Sequence, residues 1–199
     1  MTETVRLVRV VGVVLAAGAA TRFGADKLAA SLEGRPVLDH VLDALRAVPL
    51  REIVVVTRRE RAVPTANALR VIVNPAPEDG LSSSLRLGLA AANELSNPRA
   101  DAVLVALGDQ PRIDPEVIRQ LLAAARTTDR PVLVPTYDRD GSPNPVLLLR
   151  AAFALGDGAS GDRGLGPVLA AHPELVHAVP VRGANPDIDT PADLAGLRS

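Results

Sequence analysis

The sequence contains no cysteine and no tryptophan, and its aromatic side chains number three: Phe23, Tyr137 and Phe153. Without cysteine there is no disulfide framework, no thiol nucleophile and no zinc–thiolate centre. Without aromatic bulk the core must be assembled from Ala, Val, Leu and Ile, the composition of a buried parallel sheet flanked by Ala-rich helices. No apolar run reaches the roughly 18 residues that a membrane span requires. Charge of either sign is not in excess: 22 Lys and Arg stand against 23 Asp and Glu, a formal net charge of -1. That balance excludes the basic footprint expected of a protein that grips duplex nucleic acid or an anionic membrane. Lysine is the scarcest cation, because 21 of the 22 basic residues are Arg and Lys27 stands alone.

What is present suits one folded unit. The 199 residues are 47% hydrophobic, with a mean hydropathy of +0.18, and the expectation is a single domain over residues 1–199. The apolar stretch Val10 to Ala20, behind Arg6 and Arg9, superficially suggests a signal peptide. It ends in Gly18, Thr21 and Arg22, and reads better as a buried strand entering a loop. With no cysteine and no export signal, a cytoplasmic location is expected.

Apolar runs alternate with segments of helical period. Strands are predicted at Val10 to Leu15, Ile53 to Val56, Leu69 to Val73, Ala102 to Leu107, Pro131 to Pro135, Val146 to Leu149 and Val176 to Val181. Helices are predicted at Pro36 to Val48, Leu85 to Leu95, Pro115 to Arg126 (with Asp114 as its cap), and Pro167 to His172, with a last one opening near Asp187 to Leu194. The charge run Arg58-Arg59-Glu60-Arg61 reads as a solvated connector. Such alternation implies an α/β protein, a mostly parallel twisted sheet with helices on both faces. The irregular stretch 127–166 suggests an antiparallel excursion that forms part of a pocket wall.

Ligands of open α/β sheets bind beyond the carboxyl ends of the strands, and three polar constellations fall there. The first is Leu15-Ala-Ala-Gly-Ala-Ala-Thr-Arg-Phe-Gly-Ala-Asp-Lys27. Its small residues let backbone N–H groups approach an anion while Arg22 and Lys27 supply cations, which suits a triphosphate. The lone Lys27 in this loop points to a compact ammonium being required, since Lys and Arg are not interchangeable at phosphate sites. The loop is neither a Walker sequence nor a dinucleotide fingerprint, and a generic strand–helix connection remains the alternative. The second is Gly108-Asp109-Gln110-Pro111, where Asp109 either ligates a hard cation such as Mg²⁺ or caps a turn. The third is Asp187-Ile188-Asp189, whose alternate residues point to one side of an extended segment; Asp189 could instead cap the helix that follows. Ser82, Ser83 and Ser84, ahead of Leu85, form either a helix-capping cluster alone or one that also touches a nucleotide. A Ser-His-Asp hydrolase is disfavoured, because no serine sits in a nucleophile elbow and His40, His172 and His177 fall in helical or helix-end segments.

Leu15-Ala16-Ala17-Gly18-x-x-x-Arg22-x-Gly24-x-x-Lys27 resembles the signature loop of the MobA-like NTP transferases, the nucleotidyltransferases related to the molybdenum-cofactor enzymes. Gly80-Leu-Ser-Ser-Ser-Leu-Arg-Leu-Gly-Leu89, Gly108-Asp109-Gln110-Pro111, Asn144-Pro145-Val146, Gly161-Asp162-x-Gly164 and Asp187-Ile-Asp-Thr-Pro-x-Asp-Leu194 follow in that family's order. The resemblance spans residues 10–197. Leu-Ala-Ala-Gly favours its cytidylyl branch, since guanylyl relatives usually carry Leu-Ala-Gly-Gly. Phe23 stands where Met is commoner, Pro143 where Gly is frequent and Gly166 where Arg is expected; the last two bear on the acceptor.

The resemblance implies a Rossmann-like, GT-A-like nucleotidyltransferase that moves CMP from CTP to a phosphorylated acceptor, with molybdopterin as the acceptor, Mg²⁺ as the cofactor and pyrophosphate as the leaving group. It implies catalytic roles for Arg22, Lys27 and Asp109, and nucleotide contacts from Leu15, Ala16, Ala17, Gly18, Arg22, Lys27, Ser82, Ser83, Ser84 and Gly108. Acceptor contacts fall to Asn144, Gly161 and Asp162, and metal ligation to Asp109 and Asp189. Partners on this reading are an NTP, the acceptor and, transiently, a molybdoenzyme or its chaperone, with no nucleic acid and no membrane. The alternatives are a guanylyl- or other nucleotidyltransferase with another phosphate acceptor, and a catalytically silent module that binds a nucleotide or cofactor.

Overall fold

The computed structural model describes residues 9–18, 23–59, 61, 63, 69–94, 99–139 and 141–197. In chain order these form β1 (Val10–Ala16), the short pair β2 (Ser31–Leu32) and β3 (Arg35–Pro36), α1 (Val37–Arg46), β4 (Glu52–Thr57), β5 (Leu69–Val73), α2 (Leu81–Glu94) and β6 (Ala102–Leu107). They continue with α3 (Pro115–Ala124), β7 (Val132–Tyr137), β8 (Val146–Leu149), α4 (Gly166–Ala171), β9 (Val176–Val181) and α5 (Pro191–Gly196), with 3₁₀ turns at Pro77–Asp79, Arg150–Gly158, Gly161–Arg163 and Pro173–Leu175.

Seven strands make one sheet in the order β5-β4-β1-β6-β8-β7-β9. β5, β4, β1 and β6 are mutually parallel, and β7 runs parallel to β9. β8 is antiparallel to both its neighbours, the excursion anticipated for residues 127–166. Every residue of β1 is buried, because both faces of the sheet are covered. Its side chains alternate between two apolar layers, the strand period of two at work. Val10, Val14 and Ala16 pack with Val41, Leu45, Ile118 and Leu121 of α1 and α3. Val11, Val13 and Leu15 pack with Leu85, Leu89 and Ala92 of α2 on the other face.

α2 begins at Leu81, four residues before the predicted start. The serines lie inside its first turn, where the hydroxyls of Ser82 and Ser83 bond backward to the preceding turn in place of breaking the helix. Ser83 Oγ donates to Gly80 O at 2.8 Å and Ser82 Oγ to Asp79 O at 3.4 Å. The β2–β3 pair was not legible, being only two residues on each side around Glu33 and Gly34, both at positive φ. His177 lies in β9, not at a helix end. The connector after β4 is also not wholly solvated: Arg61 is 7% exposed and held by Asp26, while Glu60 lies outside the described residues.

α2 can lie close on β1 because position 88 has no side chain. A Cβ there would stand 2.4 Å from Val13 Cγ1, and a β-branched valine in a strand has little rotamer freedom with which to yield. Gly88→Ala should therefore destabilise the protein by about 1–3 kcal/mol, outweighing the roughly 1 kcal/mol gained in helix propensity. The measurement is the chemical-denaturation midpoint, and Val13→Ala introduced alongside should recover part of the loss.

Candidate active site

The chain passes β1, α1, β4 and β5 to one side, then crosses through α2 to β6 on the other side of β1. The carboxyl ends of β1 and β6 thus meet at the sheet's switch point, where open α/β sheets form their crevice. Gly108 N donates to Leu15 O at 2.9 Å, and Ile188 N donates to Asp109 O at 3.0 Å. The second bond lays the segment 187–189 beside the end of β6. Ile188 is fully buried, and the residues on either side of it, Asp187 and Asp189, both line the cavity that opens here. This is the alternation that the extended Asp-Ile-Asp segment predicts.

The cavity has a volume of about 530 Å³, and five carboxylates line it: Glu78, Asp109, Asp162, Asp187 and Asp189. Lys27 is the one cation among its described lining residues. The Lys27 ammonium donates to Asp109 Oδ2 at 2.6 Å and to Asp189 Oδ1 at 3.0 Å. Withdrawal from water lowers its pKa, and the charges and hydrogen bonds of Asp109 and then Asp189 more than reverse this, leaving it above the ordinary lysine value. Asp187 is pushed up, first because protein hems in its carboxyl group and then because Asp109 faces it with a like charge. Asp189 is not the helix cap. Thr190 caps α5 through a reciprocal capping box with Asp193, which leaves the Asp189 carboxylate for Lys27.

A buried amide network holds this arrangement from behind. Gln110, fully buried, donates through Nε2 to Asp187 Oδ1 at 2.7 Å and to Ser142 Oγ at 2.5 Å. Asn185 Nδ2 donates to Gln110 Oε1 and to Asn144 O, each at 3.1 Å, and Tyr137 OH donates to Asn144 O at 2.7 Å. Opposite, the turn Gly161–Arg163 closes against the start of α2. A Cβ on Gly80, which sits at φ +84, would meet Asp162 Oδ1 and Gly161 C at 2.6 Å, so both conformation and approach require glycine there.

Of the residues expected to touch nucleotide, Leu15, Ala16, Gly18, Lys27 and Ser84 line the cavity. Ala17 is buried beside it, a Cβ on Gly108 would stand 3.0 Å from Leu28 Cδ1, and the Ser82 and Ser83 hydroxyls are engaged in the turn before α2. Arg22 lies outside the described residues. Of the acceptor candidates, Asp162 lines the cavity, while Asn144 belongs to the amide network and Gly161 supplies the turn at φ +60. Leu28, Pro77, Glu78, Gly80, Leu81, Leu107 and Asp187 complete the lining. Asp187 was within reach of the sequence, since the reasoning that places Asp189 on one side of the strand places Asp187 there too.

The donor set fits a hard divalent cation. Asp109 and Asp189 offer carboxylate oxygens to the same ammonium, hence to the same small region. Among the described residues no group of three His, Cys, Asp or Glu forms a cage. Two carboxylates with the remaining positions left to water and phosphate is the habit of Mg²⁺ or Mn²⁺ rather than of a structural metal.

Comparison with known proteins agrees with this architecture. The chain is 33% identical over 163 residues to the bifunctional protein GlmU of Streptomyces avermitilis, covering 75% of this chain but 30% of that protein. It is 30% identical over 134 residues to a probable molybdenum cofactor guanylyltransferase of Pyrococcus horikoshii, covering 65% of this chain and 63% of that protein. The alignments thus span less than two thirds of these relatives. Among solved structures, Rv0371c of Mycobacterium tuberculosis H37Rv superposes with a TM-score of 0.80 at 26% identity, over 97% of this chain and 99% of that one. A second structure of Rv0371c, in complex with manganese, gives a TM-score of 0.77 over 95% and 97%. Residues 12–176 match the MobA-like NTP transferase domain, and the chain belongs to that family of nucleotidyltransferases.

Proposed function

We propose that this protein transfers CMP from CTP to the terminal phosphate of a phosphorylated acceptor, molybdopterin in our reading, and releases pyrophosphate. The observation that carries the proposal is the Lys27 ammonium seated between Asp109 and Asp189 on the wall of the switch-point cavity. Among the described residues the lining sets five carboxylates against one ammonium, which disfavours a bare triphosphate, so a countercation accompanies the nucleotide. Mg²⁺, which Asp109 and Asp189 would hold, would supply that charge neutralisation. The role of Lys27, joined by Arg22, is to bind the β- and γ-phosphates. The Gly18 loop lies against the nucleotide, and among the described residues no atom beyond its chain neighbours stands within 4 Å of where a Gly18 Cβ would be.

An acceptor phosphate oxygen attacks the α-phosphorus, a new phosphoanhydride bond forms, and the bond to the β-phosphate oxygen breaks with its electron pair on pyrophosphate. A phosphate nucleophile is already ionised at neutral pH and needs no base, and no histidine lines the cavity among the described residues. The protein's contribution is positioning and charge stabilisation. The Leu15-Ala16-Ala17-Gly18 sequence supports the cytidylyl reading. The guanylyl reading draws its support from the relative in Pyrococcus horikoshii described above, and the acceptor turn at Asp162 serves either.

Pyrophosphate release measured with each of four NTPs, with and without Mg²⁺ and with a phosphorylated pterin as acceptor, tests the proposal. CTP should be preferred, EDTA should stop release, and absence of any nucleotide-dependent release would favour a silent binding module. Asp109→Ala should lower kcat by about 100–1000-fold, the usual cost of one preorganised charge stabiliser, with its thermal midpoint little changed; near-normal turnover would remove Asp109 from the mechanism. Lys27→Arg should also lose activity, because a planar fork does not fit where a point charge sits. Gln110→Leu removes the donor to Asp187 Oδ1 and one of the two acceptors of Asn185 Nδ2, and should cost about 1–3 kcal/mol in a denaturation experiment.

A further inference from the structure

Asp26 and Lys27 are sequence neighbours whose side chains are held by different parts of the fold. Lys27 reaches Asp109 and Asp189, and Asp26 is gripped by Arg61, which follows β4. Arg61 Nε donates to Asp26 Oδ2 at 2.9 Å and to Oδ1 at 3.2 Å, and its Nη2 donates to Oδ1 at 2.7 Å. The Arg61 side chain is only 3% exposed, and Arg58 Nη2 adds a second cation 3.4 Å from Asp26 Oδ2. The same carboxylate accepts Leu28 N at 3.1 Å, so one Asp26 oxygen closes a turn across Lys27. Ala29 N donates to Asp26 O at 3.1 Å and Leu38 N to Leu28 O at 3.1 Å, tying that turn to the start of α1.

Stability alone is a poor reason for this clamp. A buried ion pair is on balance close to neutral against an apolar pair of the same volume. Here Arg61 Nη1 is also buried with no hydrogen-bond partner among the described residues, and burying an unpaired donor is unfavourable. What the clamp does accomplish is geometric. It is bidentate, rigid and planar, and it fixes the backbone from which the lone ammonium of the cavity projects. Lysine hangs on a flexible four-carbon stem, so the placement of its Cα decides which anions its Nζ reaches. Displacing a reacting group by about 1 Å costs on the order of 100-fold in rate.

We propose that Arg61, through its buried bidentate grip on Asp26, is a positioning residue that aims Lys27 at the phosphates of the bound nucleotide. This rests on the function proposed above. Arg61 is not among the residues that line the cavity; it acts through Asp26 and the turn over Lys27.

The test is a double-mutant cycle on nucleotide affinity, measured by calorimetry with CTP and Mg²⁺ and, in parallel, with GTP and Mg²⁺. Arg61→Gln should weaken binding by at least about tenfold in the wild-type background and by less than about twofold in the Lys27→Ala background. Because Arg61→Gln leaves the partly buried Asp26 with Arg58 as its remaining cation, the paired replacement Asp26→Leu with Arg61→Met serves as a second variant; it removes both partners of the clamp together and should lose the same affinity. Equal losses in the wild-type and Lys27→Ala backgrounds, or no loss with the paired replacement, overturn the proposal. A wild-type protein that binds neither nucleotide overturns the functional reading itself, and this inference with it.

Discussion

The ammonium of Lys27, drawn between Asp109 Oδ2 at 2.6 Å and Asp189 Oδ1 at 3.0 Å, is the interaction on which the rest of the site depends. It joins three distant pieces of chain, the loop after β1, the end of β6 and the segment before α5. It also balances carboxylates that otherwise repel one another. Every such pair partly open to solvent contributes modestly to stability, so its importance lies in charge placement. In the proposed reaction, the cation that holds these carboxylates together is the one that meets the phosphates once a divalent ion relieves it. Nothing but a small, mobile point charge performs both tasks, which is a physical reason for an arginine-rich chain to carry its single lysine at this position.

The fold makes that placement possible by covering both faces of its sheet with aliphatic side chains. β1 is buried along its whole length, so its only polar outlet is its carboxyl end, beside the end of β6. The crossing at α2 then sets the helix start, the Pro77–Asp79 turn and Gly80 across the cavity from Asp109. Ile188, fully buried, anchors the third piece and turns its two acidic neighbours outward. Gln110 and Asn185 carry polarity into the core behind them, and their mutual hydrogen bond limits what it costs.

The seven main strands were legible because each is rich in Val, Leu, Ile and Ala, near-continuously so in β1, β4, β6 and β8. Position 109 was legible for the same reason, as the first acid after such a run, and 187 and 189 through the period of an extended chain. Ser82 and Ser83 misled because serine hydroxyls are common at caps, whereas here they fold back onto Gly80, Ala76 and Asp79 inside the helix, while Ser84 Oγ accepts from Asn74 Nδ2. Arg61 was invisible. One arginine in a run of charges carries no local signal of burial, and only the tertiary approach of Asp26, 35 residues earlier, gives it a partner. The wall made by Asp162 depends likewise on the contact of two remote glycine turns.

Because Lys27 is the only lysine, labelling with ¹⁵N-lysine yields a single side-chain ammonium signal from the whole protein. The account predicts that CTP with Mg²⁺ moves this signal as the ammonium passes from carboxylates to phosphates, while cytidine without Mg²⁺ leaves it in place. A signal that stays unchanged at saturating CTP and Mg²⁺ would contradict it.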